Sequence, residues 1–136
     1  FLMLKYMLDT NICIFTIKNK PPVVREAFRQ HYDRMCISSV TLMELIYGAE
    51  KSAMPEKNLR VVESFVARLE VLTYGIEAAT HTGQIRAELT KLGTPIGPYD
   101  SMIAAHARSQ GLVLVTNNTR EFERVPGIRL SDWTIQ

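Results

Sequence analysis

Short uninterrupted apolar runs alternate with longer amphipathic stretches along this chain of 136 residues. Lys5-Tyr6-Met7-Leu8, Met35-Cys36-Ile37-Ser38, Val71-Leu72-Thr73 and Leu112-Val113-Leu114-Val115-Thr116 each predict a buried strand, and Ile128 to Trp133 adds a fifth. A short helical turn is expected over Asn11 to Ile17. After the Lys20-Pro21-Pro22 breaker, Pro22 opens a helix to about Gln30. Val40 to Ala49 is helical, and Pro55 opens a helix whose Leu59, Val62, Val66 and Leu69 share one face. Ile76 to Leu92 predicts a long amphipathic helix, Thr94 to Pro98 a rigid loop, Ser101 to Gln110 an Ala-rich helix, and Arg120 to Glu123 a single turn. Strands alternating with helices predict an α/β fold with a parallel sheet covered on both faces. Right-handed crossovers then bring every strand's carboxyl end to one rim.

That rim gathers chemistry. Asp9 follows the first strand, Glu44 lies in the helix after Ser38-Ser39, Asp100 follows Gly97-Pro98-Tyr99, and Glu121 follows Thr116-Asn117-Asn118. Singly, each has an ordinary explanation. Asp9 and Asp100 could cap helices, while Thr41 with Glu44 and Asn118 with Glu121 fit capping boxes. Together they predict crowded carboxylates, which a hard cation such as Mg²⁺ or Mn²⁺ would neutralise. Neutral Thr10, Asn11, Ser38, Ser39, Thr116, Asn117 and Asn118 surround them and can orient carboxylates or water without adding charge. The expected chemistry is metal-assisted phosphodiester hydrolysis. In it Asp9 and Asp100 hold the ion, while Glu44 and Glu121 orient the attacking water, complete the shell or hold a second ion.

Composition narrows the alternatives. The chain suits one domain, taken as residues 3–136, with Phe1-Leu2 expected to be a remnant ahead of a native start at Met3. No stretch approaches the ~20 apolar residues of a membrane span, and a cytoplasmic location is expected. Cys13 and Cys36 form no Cys-x-x-Cys pair and are expected to be buried free thiols. Net charge is only +2, but setting the four rim acids aside leaves 10 acids against 16 Lys and Arg. A basic body around an acidic pocket suits a polyanionic substrate. His31, His81 and His106 lie far apart, so an all-oxygen site is expected rather than zinc. No P-loop, dinucleotide fingerprint or nucleophile elbow is present.

The same residues carry a family resemblance. Leu8-Asp9-Thr10-Asn11, Ile37-Ser38-Ser39 with Glu44, Tyr99-Asp100 leading into Met102-Ile103-Ala104-Ala105-His106-Ala107, and Leu114-Val115-Thr116-Asn117-Asn118 with Glu121-Phe122 resemble the motifs of PIN-domain ribonucleases. The likeness runs from about Met3 to Trp133 and is closest to the VapC toxins of bacterial toxin–antitoxin pairs, of the enterobacterial type. It implies a Rossmann-like parallel sheet of about five strands and a Mg²⁺- or Mn²⁺-dependent endoribonuclease. It also implies a homodimer, and inhibition by a VapB-type antitoxin in a higher assembly that reaches operator DNA only through the antitoxin. Structured RNA is the implied substrate, with the initiator tRNA anticodon loop the expected target. Asp9, Glu44 and Asp100 match the family's three acids. Many members have Asp where this chain has Asn118, and Glu121 is expected to supply that charge here.

Three rivals remain at this stage. A small Mg²⁺-dependent phosphatase would want a second Asp at Asn11 and an assisting Lys. A non-catalytic regulatory module would use the acidic cleft only to hold a partner's basic tail. Non-specific DNA cleavage is the third, because a metal site on a sheet rim does not itself read a 2′ hydroxyl.

Overall fold

The computed structural model describes residues 3–135, so the expectation about Phe1-Leu2 lies outside the described residues. Five strands form one sheet: β1 (Tyr6–Leu8), β2 (Met35–Ser38), β3 (Glu70–Leu72), β4 (Val113–Val115) and β5 (Arg129–Ser131). Their order is β3-β2-β1-β4-β5, and every pairing is parallel. Seven helices connect and cover them: α1 (Thr10–Lys18), α2 (Pro22–His31), α3 (Ser39–Glu50), α4 (Pro55–Val66), α5 (Ile76–Lys91), α6 (Pro98–Ser109) and α7 (Thr119–Phe122). Gly93, at φ 72°, follows the end of α5 in the left-handed conformation that a glycine takes without strain.

The strand pleat sorts the core. Met7, Cys36 and Leu114 pack with Ile85, Leu89 and Ile103 of α5 and α6. The alternate residues Leu8, Ile37 and Val115 pack with Ile12, Phe28, Leu45 and Phe65 of α1 to α4. Continuous apolar runs therefore serve two hydrophobic layers at once, as parallel strands require. Both thiols are free and buried, and burial pushes Cys36 up to about 12 and Cys13 well above its ordinary value, so neither is a nucleophile.

Two of the boundary shifts bear on the rim. Helix α1 begins at Thr10 with Asp9 as its N-cap. Helix α6 begins at Pro98, so the expected Thr94–Pro98 loop is one residue too long and Asp100 is not a cap. Gly97 caps that helix, Pro98 starts it because its missing N–H is no loss there, and Ser101 N–H bonds Gly97 O at 2.9 Å. Asp100 thus lies in the first turn, where a carboxylate meets the positive end of the helix dipole. Strand β3 also starts a residue earlier than expected, at Glu70, in register with Cys36.

Candidate active site

The strand order reverses between β1 and β4, because the chain runs outward through β2 and β3 before returning beside β1. Ligand crevices in open α/β sheets form at such a switch point, beyond the carboxyl ends of the strands. Asp9 stands directly past β1, and Thr116 directly past β4. Asp9 N–H bonds Val115 O at 2.9 Å, which fixes the two strand ends together.

Each carboxylate is held by a different device. Asp9 is buried and accepts the Ile12 N–H at 2.9 Å, so the capping role and the rim position coexist. Glu44 accepts the Thr10 hydroxyl at 2.6 Å, and that hydroxyl lies 3.3 Å from the Thr41 hydroxyl. It caps nothing: Ser38 is the N-cap of α3 and accepts the Val40 N–H at 3.1 Å. Glu121 accepts the Asn118 side-chain amide at 2.8 Å. The expected capping box there is absent, since Asn118 makes no side-chain cap bond. Asp100 is half-buried and accepts no hydrogen bond among the described residues.

Electrostatics ties the four together. Burial pushes the Asp9 carboxyl up to about 6, the Thr116 hydroxyl and the Ile12 N–H pull it down, and the charges of Asp100 and Glu44 raise it further. Burial raises Asp100 as well, followed by the charges of Glu121 and Glu44. No cation relieves this repulsion: among the described residues the one ion pair is Arg29 with Glu26.

Not every expected supporting residue serves the carboxylates. Thr10 and Thr116 do, and Asn118 holds Glu121. The Ser39 hydroxyl instead accepts the Tyr74 N–H at 3.0 Å and fastens the connection after β3. Asn11 and Asn117 are exposed and make no side-chain hydrogen bond among the described residues. Two contacts go beyond those expected. Thr41 sits three residues before Glu44, one turn away on the same helix, a spacing visible in the sequence. His106 Nδ1 lies 2.8 Å from Ser38 Oγ across a separation of 68 residues, for which no local pattern exists. His106 is buried beneath the Tyr74 ring, and burial lowers its pKa. The other histidines are structural too: His31 stacks on Trp133, and His81 accepts Arg108 Nε–H at 3.0 Å.

The donor chemistry fits a hard divalent cation: four carboxylates, neutral oxygens around them, and no competing positive charge. As they stand, no three His, Cys, Asp or Glu among the described residues are grouped closely enough to ligate one ion. Asp100, the unbonded member, is the carboxylate free to complete such a group.

A parallel five-stranded sheet with this acidic crevice defines a class, and the chain belongs to the PIN-domain family, whose model matches residues 6–128. Its relatives there are VapC ribonucleases. It is 71% identical over 132 residues to the tRNA(fMet)-specific endonuclease VapC of Shigella flexneri, covering 97% of this chain and all of that one. The chain of the DNA-bound VapBC structure from Salmonella typhimurium is 72% identical, with a TM-score of 0.92 over 96% of this chain and 99% of that one. VapBC2 from Rickettsia felis, bound to a DNA fragment from its promoter, matches at 35% identity and TM-score 0.89, covering 97% and 99%. No helix among the described residues is long and apolar enough to cross a membrane.

Proposed function

We propose that this chain is a metal-dependent endoribonuclease toxin that cuts initiator tRNA and is silenced by a VapB-type antitoxin. One observation carries the reading: uncompensated carboxylates line the switch-point crevice of a chain 71% identical to a tRNA(fMet)-specific endonuclease. The VapBC assemblies of its relatives support the antitoxin as partner and operator DNA as a contact reached through it. The working unit is a homodimer.

Asp9 and Asp100 are the residues that would hold Mg²⁺ or Mn²⁺, which when bound supplies a Lewis acid for the scissile phosphate and lowers the pKa of water. Thr10 grips Glu44 through Oε1 and leaves Oε2 to take the proton of the attacking water. Asn118 holds Glu121 through Oε2 and leaves Oε1 to orient that water. Attack in line with the ribose 3′ oxygen releases a 3′ hydroxyl, protonated from solvent, and a 5′ phosphate.

The test is cleavage of initiator tRNA, bulk RNA and single-stranded DNA in Mg²⁺, Mn²⁺ or EDTA. A discrete tRNA cut with a 5′ phosphate, lost in EDTA, is expected. Cyclic phosphate ends formed in EDTA would overturn the mechanism. Absence of any cut by folded protein at full metal would favour a binding module.

Thr10→Val retains shape but frees Glu44. We expect kcat to fall about tenfold with KM unchanged, the scale of losing a group that orients a reacting one. Steady-state kinetics at saturating metal checks this, and a rise in KM alone would assign Thr10 to substrate binding instead.

A further inference from the structure

The acidic rim repels the very polyanion it is proposed to cut, so RNA affinity must come from elsewhere on the surface. Beside the rim runs a groove of about 340 Å³ whose lining includes Glu44, Ile14, Ile17, Asn58 and Val61. It shares Ile17 and Val61 with a second groove of about 380 Å³ between the end of α1, α2 and α4. The second groove is lined by Arg25, Lys57, Arg60 and Arg68, with no carboxylate in its wall.

We infer that this second groove is a phosphate-binding track for RNA flanking the cleavage position, an inference that rests on the ribonuclease reading above. The cations are partly preorganised. Arg25 Nη2 donates to Thr16 O at 3.2 Å, and the Arg68 guanidinium lies 5.8 Å from the centre of the Phe28 ring. Holding these side chains before RNA arrives reduces the ordering cost of binding. Lys57 and Arg60 are exposed and have no carboxylate within ion-pair distance among the described residues, so their charge is available to a ligand. Lys57 and Arg68 stand 11 positions apart on or just past α4. At 1.5 Å per residue that is about 16 Å, enough to meet more than one phosphate. The groove continues into the one containing Glu44, so a single strand can lie along both.

The experiment compares Lys57→Gln/Arg60→Gln with wild type in the full chain. Both positions are exposed, so folding is retained, and a melt verifies it. Initiator tRNA binding is measured by anisotropy in EDTA, where no divalent cation can bridge the rim to RNA and the groove's share is isolated. Two phosphate contacts removed at about 0.7 each lower the slope of log K against log salt by about 1.4. The affinity lost between about 50 and 200 mM salt is then about sevenfold smaller than for wild type. With metal present, KM rises and kcat is unchanged, and the charge-keeping Lys57→Arg/Arg60→Lys behaves as wild type. An unchanged slope and KM overturn the inference. So does a variant that keeps tRNA affinity but loses the antitoxin, which would give the groove to a protein partner. Wild type that binds tRNA through this slope yet cuts nothing overturns only the catalytic reading.

Discussion

Asp9→Asn is expected to abolish cleavage while raising the melting temperature of the metal-free protein. The activity side follows from its position past β1, at the switch-point crevice. Removing one electrostatic group of this kind costs about 10²–10³ in kcat, and a group that also holds the cation costs at least the upper figure. The stability side follows from burial. Asp9 has its folded pKa raised from 3.8 to about 6, so the folded state binds this proton more tightly than the unfolded chain does. Its stabilising contribution is present below 3.8 and is lost as the pH rises through about 6. At neutral pH the ionised group therefore costs about 3 kcal/mol, from a shift of about two units at 1.36 kcal/mol each. Asn keeps an oxygen for the Ile12 N–H and drops the charge. A gain of that size raises Tm by roughly 10 °C for a chain of this length. Melts in EDTA across pH should show the two curves converging toward acid. Equal melting temperatures near neutrality would mean that Asp9 carries no such strain, and residual metal-dependent cutting would remove it from the mechanism.

His106→Leu is expected to cost about 3 kcal/mol and to weaken catalysis without touching the crevice. Leucine fills most of the space but leaves the Ser38 hydroxyl without one of its two partners, worth about 1–3 kcal/mol, and its different shape adds about 1. Ser38 also caps α3, the helix that carries Glu44, while His106 shares α6 with Asp100. The bond therefore clamps two acid-bearing helices. A double-mutant cycle with Ser38→Ala should return a coupling of about 1–2 kcal/mol, whereas less than about 0.3 would mean that the two act independently. Burial lowers the His106 pKa below its ordinary 6.5, so the stability that depends on its neutral form is lost as the pH falls below that value. The variant should lack this acid-side loss, which runs opposite to the Asp9 effect.

Strand β4 and the helices on either side of it were legible because apolar runs and helical spacing report burial directly. The four rim acids were legible for a related reason: Asp9 follows a strand, Asp100 and Glu121 lie in first helical turns, Glu44 lies inside the helix that follows β2, and a parallel sheet brings such points together. What holds each acid was harder to read. Asp100 looked like a cap because Pro98 punctuates both loops and helix starts, and only the Gly97 carbonyl bond decides between them. Ser39 looked like part of the rim by adjacency to Ser38, yet successive residues there diverge, one to His106 and one to Tyr74. Contacts such as His106 with Ser38 depend on how α6 docks over β2, which no local pattern encodes.

The strand order also has a temporal meaning. Asp9 is made before the second wall of its crevice, β4, and Glu121 comes later still. Domains generally fold as units during synthesis. A nascent chain that has completed β1, β2 and β3 holds a sheet edge where β4 belongs and half of its acids. A chain still lacking β4 and Glu121 thus has no complete crevice, and the acidic rim exists only once both have joined the sheet.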